Sequence, residues 1–166
     1  MTVDTFWRRT SEDSIRDRSP SELRALVPHF LEEGYEAEQE RGTLVGVEDT
    51  GSLIGALLRL GAGDGPGAAA ARRFSDLPPG WDDYWMIGIL DADTVRQIAD
   101  LFAHATLDTW ASQHGAALAN EAAEMGYSGE QHESVLGTLL SDAREVGALF
   151  TAAAADQEVV IFRVVV

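Results

Sequence analysis

The hydrophobic and polar positions of this chain form a series of extended and helical patterns, and residues 81–102 carry the clearest pair. Residues 84–90 are apolar at nearly every position and rich in aromatic and β-branched side chains, as is typical of a strand buried on both faces. Asp91 follows directly, and its carboxylate can accept the free N–H groups at a helix start. Apolar side chains then recur at helical spacing, so we predict a strand, a tight turn and an amphipathic helix.

Three other segments have extended patterns. Residues 3–8 alternate between apolar and polar side chains, which predicts a half-buried strand, and residues 44–47 predict a shorter one. The last segment, residues 158–166, is apolar on both faces. We therefore expect it to be a central strand beside residues 84–90.

Helical patterns occupy much of the remaining chain. Ser19 and Glu22 form a capping box with Pro20 in the first turn, and this helix is expected to end near Pro28 or at the latest by Gly34.

A polar stretch and a glycine-rich stretch separate the next elements. Residues 36–41 predict a solvated connector, and a short helix follows with Asp49 or Thr50 as its cap and Gly61 as its end. The run GAGDGPG that begins at Gly61 follows a helix rather than a strand and contains no lysine. It therefore indicates a flexible surface loop and not a phosphate-binding loop.

The second half of the chain is mainly helical. Residues 68–74 can form one or two helical turns. Residues 105–125 are alanine-rich with apolar side chains at helical intervals, although Gly115 can split this helix in two. Residues 128–154 carry the most regular apolar stripe and predict the longest helix.

Length and composition narrow the class of fold. The chain has 166 residues, of which 45% are hydrophobic, and a chain of this size buries about 68–70% of its unfolded surface in one core. The order of patterns predicts an α/β fold that borders on α+β. We expect a single domain over residues 1–166, with a small mixed sheet of about four strands and helices packed on its faces.

Charge is the strongest compositional signal. The 28 acidic residues outnumber 12 basic ones, all of them arginine, and the net charge is −16. Such a chain repels phosphate backbones and acidic membrane surfaces, which argues against nucleic-acid or anionic-lipid binding. The acidity either serves solubility alone or forms a face that docks a basic protein partner.

The expected location follows from what the sequence lacks. There is no cysteine, and the first residues carry no apolar run of signal-peptide length. The longest apolar stretch, residues 159–166, is far shorter than a membrane span. We therefore expect a cytoplasmic protein, while its oligomeric state stays open.

Histidines and nearby acids are the candidates for acid–base or metal chemistry. Metal ligands normally converge by a recognisable spacing, and these side chains do not. We therefore expect no metal and no cofactor, with these residues at surface or helix-end positions. They are His104, His114, His132, Glu121, Glu124 and Glu133.

Aromatic side chains cluster where a proline–glycine loop leads into the predicted strand. With adjacent acids and a histidine they could line a pocket for a cationic or planar ligand. The alternative is that they close the edge of the core. The candidate binding residues are Trp81, Asp82, Asp83, Tyr84, Trp85 and His104, and no catalytic residue is identified.

The order of elements has a counterpart in a known family. A strand ending in Arg8, a helix over residues 53–58 and the strand–turn–helix YWMIGILDADTVRQIADLF follow one another, and a turn at Tyr127 precedes the long helix through Ala152 and Ala153. In this order the chain resembles the YfbM-like family, catalogued as domain of unknown function 1877. The resemblance implies an α/β fold with a mixed sheet flanked by helices. Because no activity is established for that family, it implies no mechanism.

The chain departs from the family pattern in two places. The family usually begins with Met-Gly, which this chain lacks. After its turn tyrosine the family tends to have proline and then tryptophan, where this chain has Ser128 and then Gln131 and His132.

Charge and the missing catalytic signatures together favour a non-enzymatic acidic module that binds a basic protein partner. The alternative is a small-molecule binding protein or a hydrolytic enzyme that uses an aromatic and acidic pocket near residues 81–85.

Overall fold

A sheet of four strands forms the centre of the computed structural model, which describes residues 2–166. The strands are β1 Asp4–Thr10, β2 Leu44–Glu48, β3 Ile87–Leu90 and β4 Val159–Val165. Their order across the sheet is β2-β1-β4-β3, and every pair of neighbours is antiparallel.

The two strands predicted to be neighbours do pair. Phe162 of β4 lies opposite Gly88 of β3 on one side and opposite Trp7 of β1 on the other. The strand predicted at residues 84–90 is shorter than expected and begins at Ile87. Residues 82–86 form a turn instead, which the Asp82–Ile87 backbone pair closes and in which Met86 has a φ of 53°.

Nine helices accompany the sheet within the described residues. They are α1 Glu12–Ile15, α2 Pro20–Ala25, α3 Tyr35–Glu40, α4 Gly51–Ala62, α5 Ala68–Ser75, α6 Ala92–His104, α7 Leu107–Gln113, α8 Gly115–Glu124 and α9 Gly129–Ala155.

Most helix ends lie where the sequence predicts them. Ser19 accepts the Glu22 N–H and the Glu22 carboxylate accepts the Ser19 N–H, which completes the capping box of α2. Asp91 accepts the Thr94 N–H at 2.8 Å and so caps α6. The alanine-rich segment is split into α7 and α8 just before Gly115, as expected.

The prediction of a connector at residues 36–41 is wrong, because α3 covers all but the last of these residues. Gly34 precedes the helix with a φ of 93°, a conformation that glycine adopts without strain. Tyr35 is buried at the start of α3 and meets the rings of Phe6 and Phe30 edge-on, with centroids 6.2 and 5.0 Å away. Tyr35 is therefore the buried residue of a helix whose other residues are four polar ones and Ala37.

Two apolar clusters lie on opposite faces of the sheet. Because neighbouring residues of a strand point to opposite faces, Phe6 and Ile161 enter one cluster while Trp7 and Val160 enter the other. Helices α4, α5, α6, α8 and α9 cover the larger cluster, and α2 and α3 cover the smaller one. The sheet is thus buried on both faces.

This architecture confirms the predicted α/β class with four strands. The sheet itself is not mixed as predicted, because every ladder is antiparallel. Six helices and the short β3 lie between β2 and β4, so the fold leans toward the α+β border. Among residues 2–166 no helix combines the length and the apolar character that crossing a membrane requires.

Candidate functional site

The aromatic segment at residues 81–85 closes the turn that precedes β3. Trp81 packs on Phe162, with ring centroids 5.5 Å apart. The Asp82 backbone pairs with Ile87, and the Asp82 carboxylate accepts the Trp85 N–H at 2.7 Å. Asp82 therefore stabilises a turn rather than facing a ligand.

The outer part of this segment covers the smaller apolar cluster. Trp85 is half-buried there, and the Arg24 guanidinium lies 5.7 Å from its ring centroid. Tyr84 is 84% exposed and meets Trp85 edge-on, while Asp83 is also exposed. Residues 81–85 line none of the four cavities described below, and their packing favours the core-edge interpretation.

The sixth predicted binding residue, His104, lies elsewhere. It occupies the last turn of α6, where its Nδ1 is 2.8 Å from the Asp100 carbonyl oxygen. It lines a cavity between α4, α5, α6 and α7 that none of residues 81–85 reaches. The structure therefore does not bring the six predicted residues together in one site.

The other histidines have local partners. His132 Nε2 lies 3.0 Å from the Ala119 carbonyl oxygen, and His114 forms the junction between α7 and α8. Within residues 2–166 no three histidine or acidic side chains come close enough together to hold a metal ion. The predicted acidic partners, which form no ion pair in the same part of the chain, are Glu121, Glu124 and Glu133.

His29, which no sequence pattern singled out, makes the closest histidine–carboxylate contact. Its Nε2 lies 3.2 Å from Asp4 Oδ2, and the Leu31 N–H donates to its Nδ1 at 3.3 Å. Because Nδ1 accepts a hydrogen bond, Nε2 carries the hydrogen that faces Asp4. The ring also contacts Phe6 and Phe30 at centroid distances of 5.5 and 5.4 Å. With both nitrogens engaged, this pair favours a structural role over proton transfer.

A buried arginine fixes the loop that carries His29. Arg163 of β4 is 2% exposed and donates to the Val27 carbonyl and, at 3.0 and 3.3 Å, to the Glu32 carboxylate. The hydrogen bond from Arg163 lowers the pKa of Glu32 from 4.5 to about 2, against the opposing effect of burial. Arg163 therefore has a structural role, in which it holds residues 27–32 against β4.

Asp49 joins three parts of the chain instead of capping a helix with its side chain. It is 8% exposed, and its carboxylate accepts the Val3 N–H at 2.8 Å, the Tyr127 hydroxyl at 3.1 Å and the Gln131 amide at 3.1 Å. The N-cap of α4 is Thr50, which makes no side-chain capping bond. Asp49 therefore ties the end of β2 to the tyrosine turn and to α9.

Three adjoining cavities of about 410, 480 and 480 Å³ lie along α9 and β2. Asp49 and Gln131 line the first two, and Gln39 lines the second and third, so neighbouring cavities share lining residues. We call the row of three cavities the acidic groove. Its walls are β2 with Asp49 on one side and, on α9, the residues Gln131, Ser134, Thr138, Asp142, Glu145, Ala148 and Ala152.

The acidic groove carries negative charge that nearby arginines leave unneutralised. Arg9 is the basic residue at its wall, and it is already paired with Asp156 and Glu158. In the described part of the chain none of the groove carboxylates forms an ion pair. These carboxylates are Glu48, Asp49, Asp142 and Glu145.

Two tyrosine hydroxyls are buried beside carboxylates of this groove. Burial raises the pKa of Tyr127 to about 12, and the hydrogen bond and charge of Asp49 add to the shift. Burial also raises the pKa of Tyr35, and the charges of Glu145 and Glu48 act in the same direction. A region in which carboxylates disfavour a further negative charge is one that attracts cations.

The sequence contains a partial signal for this site. Asp142 and Glu145 follow Gln131, Ser134 and Thr138 at helical spacing, so they share one face of the long helix that the apolar stripe predicts. The acids alone do not show that β2 lies beside this face, since that depends on how α9 packs on the sheet.

No family model, curated protein or solved structure matches this chain. The resemblance to the YfbM-like family therefore stays a prediction.

Proposed function

We propose that this protein is a non-enzymatic binding module whose acidic groove takes an extended basic segment of a partner protein. The observation that carries the proposal is the grouping of four carboxylates, without an ion-pair partner in residues 2–166, along a row of cavities that share lining residues. A basic segment would supply the cations that residues 2–166 do not pair with these side chains.

The length of the groove suits a polypeptide. Its α9 wall runs from Gln131 to Ala152, which corresponds to about 30 Å of helix. An extended segment of about nine residues covers that length. Because Val45, Val135 and Leu149 also line the groove, a segment in which arginine or lysine is interspersed with small apolar residues fits it best.

The charge of the whole chain supports the same class of partner. A net charge of −16 attracts cationic proteins over long range and repels nucleic acids and anionic membranes. The setting that we propose is the cytoplasm, because a chain without cysteine needs no oxidising compartment for its fold.

Removing two exposed groove carboxylates tests the proposal. The variant Glu48→Gln/Glu145→Gln is compared with Glu124→Gln/Glu133→Gln, which changes the net charge equally at exposed positions outside the groove. The probe is a peptide of alternating arginine and alanine, about nine residues long, and calorimetry at low salt measures its affinity. We expect the groove variant to bind the peptide about three- to tenfold more weakly than the native protein, because it loses two exposed ion pairs of about 0.2–1 kcal/mol each. The control variant should bind less than about twofold more weakly.

Equal weakening by both variants would mean that net charge alone attracts the peptide, and it would contradict a groove-specific role. Comparable binding of a glutamate–alanine peptide would also count against the proposal. None of the four substituted side chains belongs to the buried core, so circular dichroism should show the native fold in both variants.

A further inference from the structure

The cavity that His104 lines has no lining residue in common with the acidic groove. It has a volume of about 580 Å³, within the range of about 300–1,000 Å³ that is usual for small-molecule sites. Its wall is mainly apolar and consists of glycine and alanine residues of α4, α5 and the loop between them, together with Leu101 and Trp110. Polar side chains enter from α6 alone.

Glycine at two positions allows the walls to approach each other closely. A Cβ atom at Gly61 would lie 1.9 Å from the Trp110 ring, so the ring rests directly on the α4 backbone. A Cβ atom at Gly67 would lie 2.7 Å from Leu101 Cδ1. The indole of Trp110 is thereby held against the end of α4, where it borders the cavity.

The polar side of the cavity presents hydrogen-bond acceptors beside the amide of Gln97, whose NH2 group donates to Asp93 at 3.1 Å. Gln97, Asp100 and His104 lie on one face of α6 because they are spaced by three and four residues. The Asp100 carbonyl oxygen can only accept, so His104 Nδ1 donates to it, and Nε2 of the neutral ring is left as an acceptor. The Asp100 carboxylate is a second acceptor, and the negative end of the α6 dipole lies in the same turn.

We propose that this cavity binds a small organic amine, in which an ammonium group is carried on a compact apolar body. The ammonium group donates to the Asp100 carboxylate and to His104 Nε2, and the apolar body lies against Leu101 and Trp110. Asp100 is the formally charged residue of the lining, and the face of an indole attracts a nearby cation as well. Because α5 begins at the opposite wall and the positive end of its dipole favours an anion, a carboxylate ligand is the competing class.

A series of ligands with one apolar body distinguishes these classes. The ¹⁵N-labelled full chain is titrated with 2-phenylethylamine, 2-phenylethanol and 3-phenylpropanoate, and amide and indole resonances are followed by NMR. We expect the amine to shift the Gly61 and Gly67 amides and the Trp110 indole. It should bind about fivefold more tightly than the alcohol, because a charge pair at ~4 Å in water is worth ~1 kcal/mol. Binding of the alcohol or the anion as tight as that of the amine would overturn the proposal.

Two variants with matched controls locate the site. Asp100→Asn should abolish the preference for the amine over the alcohol, whereas Asp76→Asn, which removes the same charge at an exposed position outside the cavity, should keep it.

Ala69→Leu places a larger side chain at the exposed rim of the cavity and should weaken the binding of all ligands, whereas Ala116→Leu on α8 should not. Unchanged affinity in Asp100→Asn or in Ala69→Leu would show that the amine binds elsewhere and would refute the assignment.

Discussion

Arg163 is the most buried basic residue of the ion pairs within residues 2–166, and its partner is Glu32. Arg163 interrupts an apolar strand, and a guanidinium that is 2% exposed is costly to bury unless it is paired and hydrogen-bonded. Glu32 and the Val27 carbonyl meet that requirement, and in doing so they hold the loop between α2 and α3 against the sheet. The charge on Glu32 thus supports a whole segment of the fold.

We predict that Glu32→Gln lowers the free energy of unfolding at neutral pH by about 1–2 kcal/mol, because a buried donor loses a charged acceptor. Since Glu32 is 44% exposed, solvent screening keeps the effect at this modest size. The pKa of Glu32 in the folded protein, about 2, lies below its ordinary value of 4.5. The stabilisation is therefore complete above pH 4.5 and is lost as the pH falls toward 2.

Urea denaturation of the native protein and the variant from neutral pH down to pH 3 measures this dependence. The difference in unfolding free energy should narrow below pH 4.5. Glu33→Gln, at an exposed neighbouring position, is the control and should change stability little at any pH. A difference that stays constant with pH would show that the charge on Glu32 does not stabilise the loop.

Helix caps account for much of what the sequence made predictable. The capping box of α2 and the acid that follows β3 act within four residues of chain, so no knowledge of the tertiary fold is needed to locate them. Asp91 is the clearest case, and its hydrogen bonds to Thr94 also lower its pKa below the usual range.

We expect Asp91→Ala to destabilise the protein by about 1 kcal/mol, because α6 loses the acceptor for one of its first N–H groups. Ser128→Ala is a matched test at the start of α9, where the serine side chain makes no capping bond. It should cost less than about 0.5 kcal/mol. Thermal denaturation monitored by circular dichroism compares the two, and equal losses would contradict the assigned role of Asp91.

Elements held by distant contacts were harder to predict than those with local signals. The pairing of β3 with β4 followed from two runs that are apolar on both faces, since such strands need neighbours and cover. Helix α3, by contrast, is held through Tyr35, whose ring reaches Phe6 and Phe30 across a turn. A single aromatic residue in a polar stretch gives no periodic pattern, so the helix was not foreseen.

The negative charge of the candidate site could be predicted from the sequence, but its position in the fold could not. Net charge pointed to a cationic partner, and the acids of α9 lie on one helix face, but the groove exists because α9 lies beside β2. The aromatic segment 81–85 suggested a pocket because its side chains are large and clustered. Trp81 instead packs on Phe162, and Trp85 packs on the smaller apolar cluster.

The net charge of −16 affects the molecule as a whole. Repulsion among like charges destabilises the compact state, and added salt screens it over about 10 Å at 0.1 M. We predict that sodium chloride raised from low to moderate concentration increases the melting temperature by a few degrees, as a gain of about 1 kcal/mol implies for a chain of this length. Scanning calorimetry at constant pH measures the effect, and a melting temperature that falls with salt would show that ion pairs outweigh the repulsion.

The two outer strands of the sheet are β2 and β3, with five and four residues. An open strand edge is a template on which another chain can pair and start a fibril, and short edges reduce that hazard. β2 ends in Glu48 and lies beside the carboxylates of the groove, so a second copy of this chain would meet charge of its own sign there. The acids to which we assign a basic partner segment would therefore also oppose the pairing of a second copy at this edge.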